Sequence, residues 1–274
     1  MPVPRLPDAL LDACLCTPEA PLDGDPAHRF GLDKADAAVR LAALRDWLRR
    51  RSTMLRANRR SALLLVLQGP DCSGKDGVIR RVLAGLDPLA LAVHDFQPPD
   101  AGERRHDFLW RYRRRLPAPG QLGVFDRSHY EALVSDPLDG LCGDAELPGR
   151  LARIEAFEAR LVAHGIQPLK CYLQISRAEQ KRRLRRRLER PDKRWKLAAG
   201  DLAAHRRFAE RQARWAAVLA ASHSPAAPWY VIPADRRWLR DLLVASLLAR
   251  EFEKLALDWP RRPPPFAAGE LERA

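Results

Sequence analysis

Gly69-Pro70-Asp71-Cys72-Ser73-Gly74-Lys75-Asp76 is the stretch on which the reading of this chain turns. It follows Leu63-Leu64-Leu65-Val66-Leu67, an apolar run that reads as a buried strand. It precedes Val78-Ile79-Arg80-Arg81-Val82-Leu83, which reads as a helix. Strand, glycine-bearing turn, Gly-Lys and helix together make a phosphate-binding loop. Backbone N–H groups and the helix N-terminus bind the anion in such a loop, and Lys75 is placed to reach the outer phosphates. Gly69, Ser73, Gly74 and Lys75 are therefore the expected phosphate contacts. Asp76 stands where a Ser or Thr hydroxyl ordinarily contacts Mg²⁺. Two carboxylates beside a phosphate repel it unless a cation lies between. Mg²⁺ bound by carboxylate and phosphate oxygens resolves the conflict, with Asp71 the better ligand. Asp76 is either a second ligand or a cap at the helix start, where the dipole favours a carboxylate.

Outward from the loop, apolar runs alternate with helical patterns. Further strands are expected at 89–93, at 123–125 ending in Asp126, at 169–175 and at 229–232. Helices are expected from Lys34 to about Asn58, with Ala38, Leu41, Leu44 and Leu48 as its apolar face, and near 76–86, 104–115, 129–134, 149–164, 177–190, 201–222 and 235–257. Strands separated by helices imply a parallel sheet covered on both faces. Residues 1–32, rich in Pro and Asp, read as an extended arm with a short helix near Leu10. Residues 33–258 form the main domain, and 259–274, with Pro263-Pro264-Pro265, a loose tail.

A second group of chemical residues is Phe125-Asp126-Arg127-Ser128-His129-Tyr130. An acidic residue at the carboxyl end of a parallel strand lies on the ligand-binding edge of the sheet. Asp126 is placed where phosphate-loop enzymes carry a second Mg²⁺-binding Asp, and Arg127 can fork onto a phosphoryl group. His129 reads as a structural hydrogen-bonding residue more than as a base. A third group is the basic segment from Arg177 to Lys196, a helix opened by a Ser176/Glu179 capping box and stopped by Pro191. Like charges at this density disfavour a helix unless an anion neutralises them. The cluster from Arg104 to Arg115 is interleaved with Phe108, Leu109 and Trp110, so part of it is core. Lys254, Arg261 and Arg262 read as surface charge.

Composition agrees with an anionic partner. The 274 residues carry 48 Lys and Arg against 35 Asp and Glu, a formal charge of +13. Nucleic acid, an anionic membrane and inorganic phosphate chains all satisfy that balance. The five cysteines show no C-x-x-C spacing, as expected in a reducing cytoplasm. There is no signal-peptide pattern, and no apolar run approaches the roughly 20 residues of a membrane span, so a soluble cytoplasmic protein is expected.

The chain resembles the polyphosphate kinase 2 family. The matching segments are 67–77, His106-Asp107-Phe108-Leu109-Trp110-Arg111, Phe125 to Glu131, Pro191-Asp192-Lys193-Arg194-Trp195-Lys196 and Ala227 to Asp235. The resemblance implies a thymidylate-kinase-like three-layer α/β/α fold with a five-stranded parallel sheet and a helical lid at about 177–200. It implies phosphoryl transfer between inorganic polyphosphate and a purine nucleotide, ADP or GDP, AMP or GMP, with Mg²⁺ or Mn²⁺. Asp71, Lys75, Asp126 and Arg127 are then catalytic, with Asp71 and Asp126 holding the metal. Gly69, Ser73, Gly74, Lys75 and Asp76, with the lid's Arg182, Arg183, Arg186, Arg187, Arg190, Lys193 and Arg194, hold polyphosphate. A homo-oligomer, dimer or tetramer, is implied, with no nucleic acid and no membrane. Pro70 and Cys72-Ser73 depart from the family pattern, and Cys72 among loop N–H groups is a candidate reactive thiol. Two alternatives stay open: a nucleoside monophosphate kinase using ATP, and a nucleic-acid-binding regulator with a degenerate loop.

Overall fold

Five apolar segments pair into one parallel sheet in a computed structural model that describes residues 3–261 and 263–273. They are β1 (Ala62–Gln68), β2 (Leu91–Asp95), β3 (Leu122–Asp126), β4 (Ile166–Gln174) and β5 (Trp229–Pro233), in the order β2-β3-β1-β4-β5. β1 is central and wholly buried, which is why it reads as an unbroken apolar run. Alternation splits its side chains: Leu63, Leu65 and Leu67 enter one core, Leu64 and Val66 the other.

Eight helices matter to the argument: α1 (Lys34–Asn58), α2 (Lys75–Val82), α3 (Glu131–Leu138), α4 (Leu147–Ala163), α5 (Arg177–Glu189), α6 (Gly200–Arg206), α7 (Phe208–Ser222) and α8 (Arg237–Lys254). α1, α2 and α8 cover the first core and α3, α4 and α7 the second, giving three layers, α/β/α. α1 begins where Asp33 accepts from the amides of Ala35 and Asp36, and it ends where Arg59 turns left-handed. Its buried face is Ala37, Leu41, Leu44, Leu48 and Leu55, with Ala37 inside in place of the expected Ala38.

Several boundaries differ from expectation for local reasons. Asp87 caps a short turn at Pro88–Ala90, so β2 starts two residues later than its apolar run. The segment 104–115 is two turns, Glu103–Arg105 and Trp110–Arg113, because the Asp107 carboxylate takes the Leu109 amide and restarts the chain there. The expected helix 201–222 breaks at Arg207 into α6 and α7.

The N-terminal arm is packed rather than merely extended. Leu6, Leu11 and Cys14 are buried, around a helical turn at Asp8–Asp12. Leu15 bridges Tyr230 antiparallel, with Cys16 N to Trp229 O at 2.9 Å and Val231 N to Cys14 O at 2.7 Å. The arm thus covers the β5 edge of the sheet. Met1 and Pro2 of the arm, and Arg262 and Ala274 of the tail, lie outside the described residues. All five cysteines are free, and no helix among the described residues is long and apolar enough to cross a membrane.

The strand order reverses at β1. The chain leaves β1 for the β2 edge, returns through β3, then crosses to β4 and β5 on the other side. The carboxyl ends of β1 and β3 therefore flank a crevice, the place where open parallel sheets bind ligands. The loop 69–76 and the pair Asp126-Arg127 stand there together.

Candidate active site

The loop is bent into shape by left-handed residues at Gly69, Cys72 and Gly74, with φ of 140°, 69° and 100°. A Cβ on Gly69 would lie 2.6 Å from the Leu173 carbonyl oxygen, and one on Gly74 would overlap the Arg240 guanidinium. Two buried arginines hold the loop from beneath. Arg240 of α8 donates Nη1 to Ser73 O at 2.9 Å while its Nε and Nη2 bind Asp241 Oδ1 at 3.0 and 2.7 Å. Arg183 of α5 donates Nη1 to Cys72 O and Ser73 O, both at 2.9 Å, and Nη2 to Ala234 O and Asp235 O at 2.6 and 3.0 Å. With those carbonyls turned inward, the amides of Cys72, Gly74 and Lys75 meet no protein acceptor among the described residues. The buried Ser73 hydroxyl also has no partner there.

The Lys75 ammonium rests 3.2 Å from Gly69 O. Arg127, left-handed at φ 64° just past β3, donates Nη2 to Asp71 Oδ1 at 3.0 Å. Burial works to raise the Asp71 carboxyl, but Lys75, then Arg127, Arg211 and Arg187 hold it below the ordinary carboxylate value. Asp126 behaves oppositely. Burial pushes it up to about 6, and the neighbouring Asp76 and Asp95 add to the rise against Lys75 and Arg127. An acidic pocket that resists its own charge is suited to receiving a cation.

The lid-side expectations separate. Arg186, Arg187, Arg190 and Lys193 line a cleft of about 450 Å³ together with Lys75, Asp76, Arg80 and Arg237. Lys196 joins them and pairs with Asp76, which stands in the first turn of α2 without a side-chain capping hydrogen bond. Three expected polyphosphate contacts differ. Arg183 spends its guanidinium on loop carbonyls and on Glu179. Arg182 forks onto Glu179 at 2.6 Å, and Arg194 donates Nε to Leu188 O at 2.9 Å; neither lines the cleft. The capping box is half formed for the same reason. Ser176 Oγ accepts from the Glu179 amide, but the Glu179 carboxylate serves the arginines, and the Ser176 amide goes to Asp235 instead.

Cys72 is buried, which pushes its thiol up to about 11, and it is not the reactive cysteine expected from its neighbours. His129 is fully buried 3.3 Å from Glu158 Oε1, in a network with Lys170 and Tyr130, and is a structural residue as read.

A second cleft, about 980 Å³, opens on the other side of the loop. Phe96, Phe108, Tyr112 and Trp215 give it apolar walls, and Arg111 and Arg211 charge. Asp71, Gln97, Arg127, Ala198 and Asp201 line both clefts, so the two meet at the Asp71–Arg127 pair. Sequence reasoning missed Arg237, Arg240, Lys196 and Arg211. Lys196 belonged to a basic run already in view, whereas Arg240 sits at the start of a helix that is otherwise mostly apolar and buried.

The family model for polyphosphate kinase 2 matches residues 31–258. The chain belongs to the polyphosphate kinase 2 family. An AMP/ADP-polyphosphate phosphotransferase of Meiothermus ruber is 37% identical over 239 residues, covering 87% of this chain and 90% of that protein. An ADP-polyphosphate phosphotransferase of Rhodopseudomonas palustris is 36% identical over 223 residues, 77% of each chain. The crystal structure of polyphosphate kinase 2 from Arthrobacter aurescens superposes with a TM-score of 0.84 at 34% identity, covering 94% of this chain and 96% of that one. Membership in the polyphosphate kinase 2 family thus extends across the sheet, the loop and the basic segment 177–196 together.

Proposed function

We propose that this enzyme transfers a phosphoryl group between inorganic polyphosphate and a purine nucleoside mono- or diphosphate, with Mg²⁺ or Mn²⁺. The observation that carries this is the meeting of two unlike clefts at Asp71 and Arg127. The smaller is lined by twelve Lys and Arg against five Asp; Arg183 and Arg240 brace the loop, and the other ten offer a surface for a repeating polyanion. The larger, with aromatic walls, suits a nucleotide.

Polyphosphate lies along the cationic cleft with its terminal phosphoryl group at the loop amides and Lys75. The acceptor's terminal phosphate approaches from the larger cleft. Its oxygen forms the new P–O bond as the bond to the donor's bridging oxygen breaks, and the electron pair leaves with the shortened chain. The attacking oxygen is already anionic, so no general base is required. Lys75, Arg127 and the lid arginines balance the charge spread over the transferred group. Asp71 and Asp126 fit Mg²⁺. Among the described residues no three acidic, His or Cys groups close into a metal cage, and Mg²⁺ typically takes one or two carboxylates with phosphates and waters completing its shell. Held by Asp71 and Asp126, such an ion would supply charge neutralisation for the phosphate oxygens.

A nucleoside monophosphate kinase using ATP shares the loop, but the ten cations left after Arg183 and Arg240 exceed what a triphosphate occupies. A purine acceptor and a dimer or tetramer of this chain are expected from the family resemblance alone, and a cytoplasmic setting from the scattered cysteines. The test supplies polyphosphate as sole donor with ADP, GDP, AMP and GMP in turn and measures nucleotide products by chromatography. Formation of a higher phosphate from at least one acceptor is expected. Absence of product from all four, with turnover appearing when ATP is the donor, would transfer the assignment to the ATP-dependent kinase.

A further inference from the structure

Six arginines line the larger cleft: Arg104, Arg111, Arg127, Arg150, Arg153 and Arg211. Five are committed to other protein groups. Arg104 donates to Pro99 O, Arg111 to Gln97 O, Arg127 to Asp71, Arg150 to Asp136, and Arg153 pairs with Asp107. Arg211 makes no side-chain hydrogen bond or ion pair among the described residues, and its Nε is enclosed without an acceptor. Arg211 as a whole is half-buried, and an enclosed N–H left unfilled is a cost unless an acceptor such as an anion completes it.

Its position says which anion. Arg211 lies in the first turn of α7, a helix that Trp215, Val218 and Leu219 seat on the second core. It therefore stands on a core-packed wall of the larger cleft. It is near enough to Asp71, at the junction of the two clefts, for its charge to act on that carboxylate. Arg127 is placed at the same junction, but one arm of its fork is already occupied by Asp71 at 3.0 Å.

We propose that Arg211 binds the terminal phosphate of the nucleotide acceptor, the phosphate whose oxygen attacks. The inference rests on the reading of the larger cleft as the nucleotide site and names a residue that reading leaves out. Two anions must approach each other in this reaction. A guanidinium on the acceptor side offsets that repulsion and, through its planar fork, orients the attacking oxygen. Arg211 gains and loses no proton. The bonds made and broken are those of the phosphoryl transfer already described. AMP and ADP both present a terminal phosphate, so the residue serves both.

The experiment compares Arg211→Met and Arg211→Lys with the wild-type protein. Kinetics are run against AMP and ADP at saturating polyphosphate, and against polyphosphate at saturating ADP. Calorimetry with ADP alone supplies a readout that does not depend on turnover. Arg211→Met is expected to lose about 100-fold in kcat/KM for both nucleotides, with KM for polyphosphate within about twofold of wild type. ADP binding should weaken about 10-fold or more. Arg211→Lys keeps the charge without the fork and should recover part of the loss. Both variants should melt close to wild type, since Arg211 makes no side-chain hydrogen bond or ion pair among the described residues and both replacements keep a long stem. If Arg211→Met destabilises the fold, the lysine variant and its ADP affinity decide the matter. Wild-type nucleotide kinetics and ADP affinity in the variants would overturn the proposal. So would a loss confined to the KM for polyphosphate, which would place Arg211 on the donor. An inactive wild-type protein would instead overturn the phosphotransferase reading, and the inference with it.

Discussion

A methyl group at residue 74 has nowhere to go. The Arg240 guanidinium fills the space beside Gly74, and that residue's φ of 100° already disfavours a side chain. Gly74→Ala should therefore destabilise the protein by about 2 kcal/mol or more and abolish transfer, read by urea unfolding and by turnover. Lys75→Ala is a milder change to the fold and a severe one to chemistry, with at least ~10³-fold loss of kcat expected at a near-normal melting temperature. Asp126 yields a prediction in which stability and activity part. Its folded value of about 6 stands above its ordinary 3.8, so the native state prefers the protonated carboxyl. The group costs nothing below the lower value. The cost grows as pH rises through the higher one, and reaches about 3 kcal/mol above it. Asp126→Asn should stabilise the metal-free protein by ~1–3 kcal/mol at pH 8, with the gain shrinking toward pH 4, while transfer is lost. Urea titrations at both pH values in EDTA check this; a loss of stability at pH 8 would contradict it. The residues with this clarity were legible in the sequence because their signal is local: Gly69, Gly74, Lys75, and the Asp-Arg pair at a strand end. Arg240 was not, since its bond to Ser73 spans 167 positions and leaves no short-range pattern.

At the scale of elements, the sheet could be read from its apolar runs because a strand buried on both faces carries no polar interruption. Helix limits were less legible where one side chain redirects the chain, as Asp107 does between two turns. The basic helix α5 shows a deeper gap. A run of arginines looks uniform in sequence, yet the structure divides it into those that brace the loop, those that pair on the surface and those that face the cleft. Burial and partner, not residue type, decide the role. The division can be tested by comparing two variants. Arg183→Met should lower kcat and the melting temperature together, because carbonyls it satisfied are left buried. Arg186→Met should raise the KM for polyphosphate severalfold at an unchanged melting temperature. Equal behaviour of the two variants would show that the division is not real.

The whole molecule is strongly cationic, yet its two clefts differ. KM for polyphosphate should rise steeply between 50 and 300 mM salt, and KM for the nucleotide much less, because only one cleft is lined by unbalanced charge. Parallel rises would mean that net charge, not the cleft, draws the donor in. The N-terminal arm has a consequence of another kind. Cys14, Leu15 and Cys16 close a sheet edge whose strand, β5, is the last of the five to be made. On the ribosome the arm emerges well before β5 and has no strand to pair with until the other four strands have followed. Its docking is a long-range closure that comes late in folding, and until then the β5 edge is open to pairing with a neighbouring nascent chain. Order of synthesis and order of assembly run in opposite directions here, so crowding during production bears on this edge before it bears on any other part of the sheet.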